Sequence, residues 1–545
     1  MVLIFTCAFF PKNSILISFF DPFNYSSFYK SWAAGYKFES HFPMLTEIKN
    51  LRQSHTFIVI LILAAAFRLI AAIFSKGYGM SDDHFLVIEI AQNWVDKGPG
   101  QWFDRDEPHG HSMVYPFLHY LLFLLLKGSD VTDPQTKMLV VRIIHAIYSL
   151  SIVWFGYSIT RILSNKKTAN QVGLMLALFW ILPIMSVRNL IEYICIPPLL
   201  AGFYLALKAE STAKKSYWIF SGLLFGLAFV FRYQVAIMIV GVGFVLIFQK
   251  KWRELIALSF ALAIAIFGIQ GIFDWIAWGY PFAALKYYII NNIQGRLSFT
   301  TGPWYRYTLL ILGVFIPPTS LLLAWGFIRS WKKFSVLWVP TILFLFFHSY
   351  FPNKQERFIL PILPLFLILG TIGWNEYLKN SNFWQNRKKL HNILWIWFWI
   401  ANCFLLIIVT PNYTKKNRAE SLYFLSKKND VSAVIWESYH DITPIIPRYY
   451  LVHDVPVYTY PKSKSLQSLH EEIVQIGFKP NYIIFLGGKN VEKRIEDFKL
   501  NFGSELEFLK KVNPSLIDYI LFRANPKYNV NETSYIYKII SKGNS

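Results

Sequence analysis

The stretch TFIVILILAAAFRLIAAIF (56–74) is a continuous apolar run close to the ~20 residues that an α-helix needs to cross a hydrocarbon core. The chain repeats it. Further apolar runs lie at 138–163, 170–187, 189–207, 216–231, 233–249, 254–274, 307–328, 334–350, 358–374 and 391–410. Several fall short of a straight crossing. The composition agrees: the 545 residues are 54% hydrophobic, 18% aromatic and 16% charged, where soluble chains average about 25% charged. The pattern implies an all-α polytopic membrane protein of about 11–13 transmembrane helices. The lipid bilayer is its first partner.

Net charge is +22, which on a soluble chain would suggest nucleic acid. Here the cations cluster between apolar runs, as in Lys250-Lys251-Trp252-Arg253 and Arg329 with Lys332 and Lys333. Loops of this kind set orientation, so nucleic acid is not expected as a partner. With Lys49 and Arg52 placed inside, Lys166-Lys167, Lys208 to Lys215, Lys250 to Arg253, Arg329 to Lys333 and Arg387 to Lys389 also fall inside. The other side then takes 75–112, the junction at 188, 279–304, 351–357 and everything after 411. This count requires that 113–127 does not cross. Cys7, Cys195 and Cys403 sit in apolar stretches, which excludes a disulfide framework and a cysteine zinc site. Met1–Phe10 is apolar but has no basic flank, so it is not read as a secretory signal. The expected division is 1–50 as an N-terminal extension, 51–410 as the membrane domain with its outer loop 75–112, and 411–545 as an outer domain.

After 411 the period changes. Val434–Trp436, Val455–Tyr458, Tyr482–Leu486 and Ile517–Phe522 read as strands, alternating with polar helical segments such as Ser465–Gly477. A small extramembrane α/β domain is expected. Asn412-Tyr-Thr and Asn531-Glu-Thr match the short glycosylation pattern.

The polar residues at the outer edge carry the chemistry. In Ser81-Asp82-Asp83-His84, Ser81 is expected to cap a helix whose first turn holds both acids. Phe85, Ile88, Gln92 and Val95 then share a face, as in a helix lying on the membrane surface. Asp82 and Asp83 are candidate catalytic carboxylates, weighed against a first turn that merely favours acid. Adjacent acids also suit a divalent ion, but side chains about 100° apart on a helix suit two separate roles better. No metal and no cofactor is expected. Glu107, near Asp104 and Asp106, is a secondary candidate, with a solvated acidic loop the equal alternative.

The segment HSYFPNKQERFILPILP (348–364) separates two apolar runs. Lys354 and Arg357 would share a helical face and could hold a phosphate, Arg as a fork and Lys as a point charge; snorkelling to lipid headgroups is the bland alternative. Arg188, Glu192 and Arg232 are ionisable groups among apolar runs, and such groups are functional by default. For Arg188 and Glu192, four apart, a helix-stapling pair is equally good. His119 and His145 read as packed histidines, and Trp304-Tyr305-Arg306-Tyr307 as an interfacial belt or a sugar platform. A carboxylate base, fixed cations and an apolar groove on one side are what sugar transfer from a lipid phosphate needs.

Together these segments resemble a family. "SDDHF" followed by "HSMVYP" looks like the first outer loop of the glycosyltransferase family 22 mannosyltransferases, which extend dolichol-linked oligosaccharides and GPI-anchor precursors. "GLAFVFRYQVAI" is similar to their Gly-x-x-Phe-x-x-Arg helix start. "FDWIAWGYPFAALKYYIINNIQG" with "GPWYRY" is similar to their Asp-x-x-x-Tyr-Gly … Pro-Trp-x-x-Tyr region. "HSYFPNKQERFILPILP" closely resembles their His-Ser-x-x-Pro-His-Lys-Glu-x-Arg-Phe signature. The matches run in family order from about 78 to 365.

The resemblance implies the GT-C membrane fold, a polyprenyl-phosphate sugar donor, inversion at the anomeric carbon, and a hexose that is expected to be mannose. It implies a glycan, lipid-linked or protein acceptor on the outer side, in a bacterial inner membrane or the endoplasmic reticulum. It makes Asp82 the catalytic Asp and Asp83 the counterpart of the usual Glu. Lys354, Glu356 and Arg357 match the signature charges and His348 the first His. With Arg188, Glu192, Arg232 and Glu107, these form the expected substrate-binding set. Ser81, Asp83, His111 and Asn353 depart from the usual Pro, Glu, Arg and second His, and the Arg188-Asn189-x-x-Glu192 segment is shortened. These departures bear on sugar and acceptor more than on reaction class. A transporter or flippase of lipid-linked sugar is the alternative, although no internal repeat is visible. A catalytically dead sensor is the third reading.

Overall fold

The apolar runs between 56 and 410 are mainly helical in the computed structural model, which describes residues 55–98, 108, 110–212, 214–294, 301–441, 445–526 and 529–541, without the side chains of Ser81, Asp82 and Ser541. Residues 1–59 and 60–545 form two units. Of the first, only 55–59, the opening of a helix, is described. The expected extension 1–50 lies outside the described residues, as do Glu107, Asp104 and Asp106.

Among the described residues, six helices are long and apolar enough to cross a membrane: His55–Phe74, Pro134–Leu163, Ile191–Thr212, Trp252–Trp278, Glu356–Asn380 and Lys388–Val409. Arg306–Val314 and Thr319–Arg329, bent by 118°, would make a seventh. Val114–Gly128, Ser216–Phe231, Tyr233–Phe248 and Ser335–Tyr350 are shorter apolar helices. Glu356–Asn380 runs through the middle, with 89% of its apolar window buried, whereas Lys388–Val409 has 17% buried and turns its apolar side chains outward. Outward apolar surface on this scale is what a bilayer covers. Small residues let helices approach closely. A Cβ on Gly373 would stand 2.0 Å from the Gly326 carbonyl oxygen, so Thr319–Arg329 and Leu363–Asn380 cross backbone to backbone.

Contacts sort the connecting segments into two ends. At one end Asn375 donates to Gln171 (2.9 Å), Lys251 pairs with Glu210 (2.6 Å), and Lys333 pairs with Glu376. At the other end Thr301 bridges Asn353, Gly77 bridges Thr414, and Tyr449 N–H donates to Glu89 (3.3 Å). Val114–Gly128 stays at this second end: Lys127 donates to the Val95 carbonyl at 3.2 Å, and Asp133 just beyond the helix accepts from Tyr423 at 2.9 Å and pairs with Lys427 at 2.6 Å.

The helix Ser81–Lys97 begins with Ser81 itself, and its N-cap is Met80 in extended conformation with no side-chain cap. Ser81 is therefore in the first turn rather than the cap, which corrects the expectation. The helix is amphipathic on two sides. Phe85, Ile88 and Val95 enter the main core, while Ile90 and Trp94 pack with Met113.

The C-terminal region forms a five-stranded sheet of order β2-β1-β3-β5-β4, with β1 Val434–Ser438, β2 Val457–Pro461, β3 Tyr482–Leu486, β4 Ser504–Val512 and β5 Ser534–Ser541. β1 pairs in parallel with β2 and β3, and β5 antiparallel with β3 and β4. Three expected strands stand, and Leu466–Ile476 is helical with Ser465 as N-cap. Ile517–Phe522 does not: it lies in the helix Leu516–Ala524, because the Ser515 side chain accepts from the Asp518 N–H and caps it. A short apolar run carries no period of its own, so the cap decides. Asn412 and Asn531 are both buried, 7% exposed each, so neither glycosylation match offers an accessible amide in the folded chain.

One tie between the membrane part and the C-terminal region is centred on Arg188. Arg188 donates to the carbonyls of Ser75 (3.1 Å), Lys76 (3.1 Å) and Gly77 (3.2 Å), to Ser75 Oγ (2.7 Å) and to the Asn412 carbonyl (3.4 Å). It thereby caps the end of the helix His55–Phe74 and holds the segment that leads into the C-terminal sheet. Gly77 makes the approach possible: its φ is +78°, and a Cβ there would sit 1.9 Å from the Thr414 carbonyl oxygen. Gly77→Ala should therefore cost at least about 2 kcal/mol and lower the melting temperature in detergent. Gly79→Ala, whose Cβ would have nothing nearer than Arg188 Cδ at 3.9 Å, should be close to neutral. Equal melting temperatures for the two variants would refute the tie.

Candidate active site

Four backbone irregularities bring charge into the second end of the bundle. Asp83 stands in the first turn of Ser81–Lys97. Glu192 stands on the single turn Ile191–Ile194, just before a helix that opens Ile196-Pro197-Pro198. Arg232 is an extended residue (φ −150°) between the helix Ser216–Phe231 and the short 3₁₀ turn Tyr233–Val235. Arg357 is on the 3₁₀ stretch Glu356–Ile362, where Pro361 and then Pro364 keep the chain from entering a regular helix earlier. A straight helix through any of these sites would have turned the charge toward lipid.

The four side chains meet, and all are buried. Arg357 Nη1 donates to Asp83 Oδ2. Arg357 Nε lies 3.4 Å from Glu192 Oε1, and Arg232 Nη1 lies 2.7 Å from the same oxygen. Arg232 Nη2 also donates to the Phe358 carbonyl at 3.1 Å. Burying isolated charges is costly, and only mutual pairing makes it tolerable. The expected stapling of Arg188 to Glu192 is not made: Arg188 sits in the turn before Ile191 and turns to the 75–77 carbonyls, while Glu192 turns to the two other guanidiniums. Four-residue spacing pairs side chains only within one continuous helix.

The remaining signature residues scaffold Arg357. Lys354 and Arg357 do not share a helical face, because Gln355 is extended (φ −128°). Lys354 Nζ donates to the carbonyls of His348 (2.7 Å), Ser349 (2.8 Å) and Phe351, closing the end of the preceding helix. Burial and then Arg306 lower its pKa. His348 is buried against Phe344, with Nδ1 2.9 Å from that residue's carbonyl. Glu356 is half-exposed and pairs with Arg306. Tyr307, read from sequence as part of an aromatic belt, is buried. Its hydroxyl donates to the Gln355 carbonyl (3.0 Å) and accepts from the Gln355 N–H (3.1 Å), fixing the strand that delivers Arg357. The sequence signal for it was the "GPWYRY" resemblance, not its aromatic character. Trp304 and Tyr305 are exposed, as a belt would be.

Asp82 precedes Asp83 in the helix, and its side chain is not among those described. His84 is fully enclosed and stacks on Tyr78; burial, then Arg188, push its pKa well below the usual imidazole value. His119 and His145 lie nearby: the Tyr115 hydroxyl is 3.1 Å from His145 Nε2, and His119 Nδ1 is 3.0 Å from the Tyr115 carbonyl. Asp274, in the span interrupted by the π-helical turn Phe267–Gly271, accepts from Gln270 (2.9 Å) and from the Ala284 N–H (3.1 Å). The arrangement gathers acids and guanidiniums in one buried place.

Known proteins carry the same architecture and the same sequence pattern. The fold matches ArnT from Cupriavidus metallidurans bound to undecaprenyl phosphate, with a TM-score of 0.56 over 88% of this chain and 97% of that one, at 11% identity. It also matches the archaeal oligosaccharyltransferase AglB from Archaeoglobus fulgidus, with a TM-score of 0.50 over 82% and 70%, at 11% identity. The fold is therefore GT-C. Among curated relatives, a probable Dol-P-Man:Man(7)GlcNAc(2)-PP-Dol α-1,6-mannosyltransferase of Schizosaccharomyces pombe is 24% identical over 48% of each chain. Its namesake in Saccharomyces cerevisiae is 26% identical over 31% of each. The chain thus spans about half the length of the first of these relatives and about a third of the second. GPI mannosyltransferase 4 of Candida glabrata is 20% identical over 87% of this chain and 94% of its own. The sequence model of the Alg9-like mannosyltransferases matches residues 59–460, a range that holds all four members of the buried charge cluster, and the chain belongs to that family.

Proposed function

We propose that this protein is an inverting mannosyltransferase, taking the sugar from a polyprenyl-phosphate donor and passing it to a glycan, lipid-linked or protein acceptor. One observation carries the reading: Arg357, within the family's most specific sequence block, is held in a buried site by acids from two other segments, Asp83 and Glu192. Relatives named for Dol-P-Man donors and for lipid-linked or GPI acceptors add to it. A match to mannosyltransferases leaves the transporter alternative without support.

In this scheme the acceptor hydroxyl attacks the anomeric carbon on the face opposite the phosphate. The C–O bond to phosphate breaks and the sugar inverts. The hydroxyl proton passes to Asp82, as the resemblance assigns, and such a base contributes typically 10²–10⁴-fold. Arg357 faces the phosphate oxygen on which charge grows. Arg232 and Glu192 hold Arg357 in place. Lys354, engaged by three carbonyls, and His348 act by shaping the loop. Arg188 acts through the 75–77 segment that leads into the Asp82–Asp83 turn.

The site end, with the outer domain, is proposed to face away from the cytoplasm, because the basic clusters gather at the opposite end. A protease added to the cytoplasmic face of sealed vesicles should leave a C-terminal tag intact. Efficient removal of the tag would reverse the orientation.

Asp82→Asn should fold, insert and bind the lipid donor, yet keep less than about a tenth of the wild-type rate. Asp83→Asn should be milder. A fast Asp82→Asn enzyme beside a dead Asp83→Asn enzyme would exchange the two roles.

Arg357→Ala should lose at least ~2 kcal/mol of transition-state stabilisation, and Arg357→Lys should recover only part, lacking the fork. The measurement is turnover of purified protein with polyprenyl-phosphate mannose, at matched thermal stability. Unchanged turnover in folded Arg357→Ala protein would remove Arg357 from the scheme.

A further inference from the structure

The buried cluster contains two carboxylates, Asp83 and Glu192, and two guanidiniums, Arg232 and Arg357. Its formal charges cancel, so it holds no spare cation for a phosphate. A phosphate that takes the Nη1 edge of Arg357 takes the place of Asp83.

The two acids differ in what they keep. Glu192 retains Arg232 at 2.7 Å when it lets go of Arg357. Asp83 stands in the first turn of Ser81–Lys97, where the helix N-terminus favours an unpaired carboxylate. A guanidinium has five N–H donors in a fixed fork, so Glu192 can stay at Nε while a new anion takes the Nη1 edge now on Asp83. The cluster is also short of hydrogen bonds: Glu192 Oε2 and Arg232 Nε are buried without a hydrogen-bond partner among the described residues. Buried polar atoms ordinarily find one.

We infer that the donor's phosphate displaces Asp83 from Arg357, and that the released Asp83 carboxylate then accepts a hydrogen bond from the acceptor, so that donor binds before acceptor. The inference rests on the lipid-phosphate reading above. A sugar phosphodiester carries one negative charge, as the carboxylate it replaces does, so the charge around Arg357 is preserved through the exchange. While Asp83 Oδ2 is held by Arg357 Nη1, that oxygen is not offered to the acceptor. The donor thus builds the acceptor's site, and Asp83 is a specificity and positioning residue rather than the base.

The test is affinity for a sugar-free lipid. Full-length wild-type, Asp83→Asn and Arg357→Ala proteins in detergent are titrated with undecaprenyl phosphate and followed by tryptophan fluorescence. Removing a competitor for Arg357 removes the penalty of opening the site. Asp83→Asn should therefore bind at least about threefold tighter than wild type, Arg357→Ala should bind more weakly, and Asp83→Asn should show a raised acceptor KM. A merely structural role for Asp83 predicts loss of affinity. Equal or weaker binding by Asp83→Asn overturns the inference while leaving the donor reading intact. No binding by wild type overturns the donor reading and the inference with it. Should Asp83→Asn not fold, wild-type initial rates decide. An acceptor-site inhibitor that is uncompetitive toward the donor supports the ordered exchange, and one that is non-competitive, as random binding gives, overturns it.

Discussion

The structure depends on one constraint: charges placed where water is absent must satisfy each other. Asp83, Glu192, Arg232 and Arg357 come from four segments spread over most of the membrane domain. Each arrives through a local break in helix geometry, namely a helix start, an isolated turn, an extended residue and a 3₁₀ stretch. Breaks at membrane depth are tolerated where protein rather than lipid covers them. The breaks and the charges therefore require each other. Removing any one member would leave a buried charge uncompensated, at a cost of several kcal/mol.

The second tie is Arg188, and it solves a different problem. The helix His55–Phe74 ends with carbonyls that have no helical partner, where the chain turns toward the Asp82–Asp83 segment. Arg188 takes the carbonyls of Ser75, Lys76 and Gly77 and reaches the Asn412 carbonyl, at the entry to the C-terminal sheet region. Lys415 continues the seam, donating to the Gly79 carbonyl and lying over the Tyr78 ring. The C-terminal region thus docks on the segment that carries the acids. Glu89 receiving the Tyr449 N–H, and Asp133 receiving Tyr423 and Lys427, extend that docking across Ser81–Lys97 and the loop after Val114–Gly128. A domain fixed at that many points holds the acid turn as much as it covers it.

Much of this was legible before any coordinates. The apolar runs gave the helices because a hydrocarbon environment allows few alternatives to a helix, although 170–187, 189–207 and 307–328 are each broken into more than one helix. The basic clusters separated the two ends, since cation placement follows a rule that needs no tertiary knowledge. The resemblance to the family rested on motif order, and the family model matches over 59–460. What misled were spacings and short segments. Arg188 with Glu192 and Lys354 with Arg357 looked like helical neighbours, but both pairs straddle a break. Ile517–Phe522 looked like a strand until the Ser515 cap made it a helix, and the real strands β4 and β5 were passed over because their faces are partly polar.

By itself the sequence determined that the chain is a membrane helix bundle with an α/β appendage, and it named Asp83, Glu192, Arg232 and Arg357 as candidates. These follow from local hydrophobicity, charge placement and motif order, all of which are written along the chain. Only the tertiary structure decided who pairs with whom: that Arg357 lies between Asp83 and Glu192, that Lys354 is spent on carbonyls, and that Arg188 holds a helix end rather than Glu192. The physical reason is that a buried ionic contact is chosen by competition among every partner the fold brings within a few ångströms, and the paired members of the cluster lie far apart in the chain, up to the 274 residues between Asp83 and Arg357.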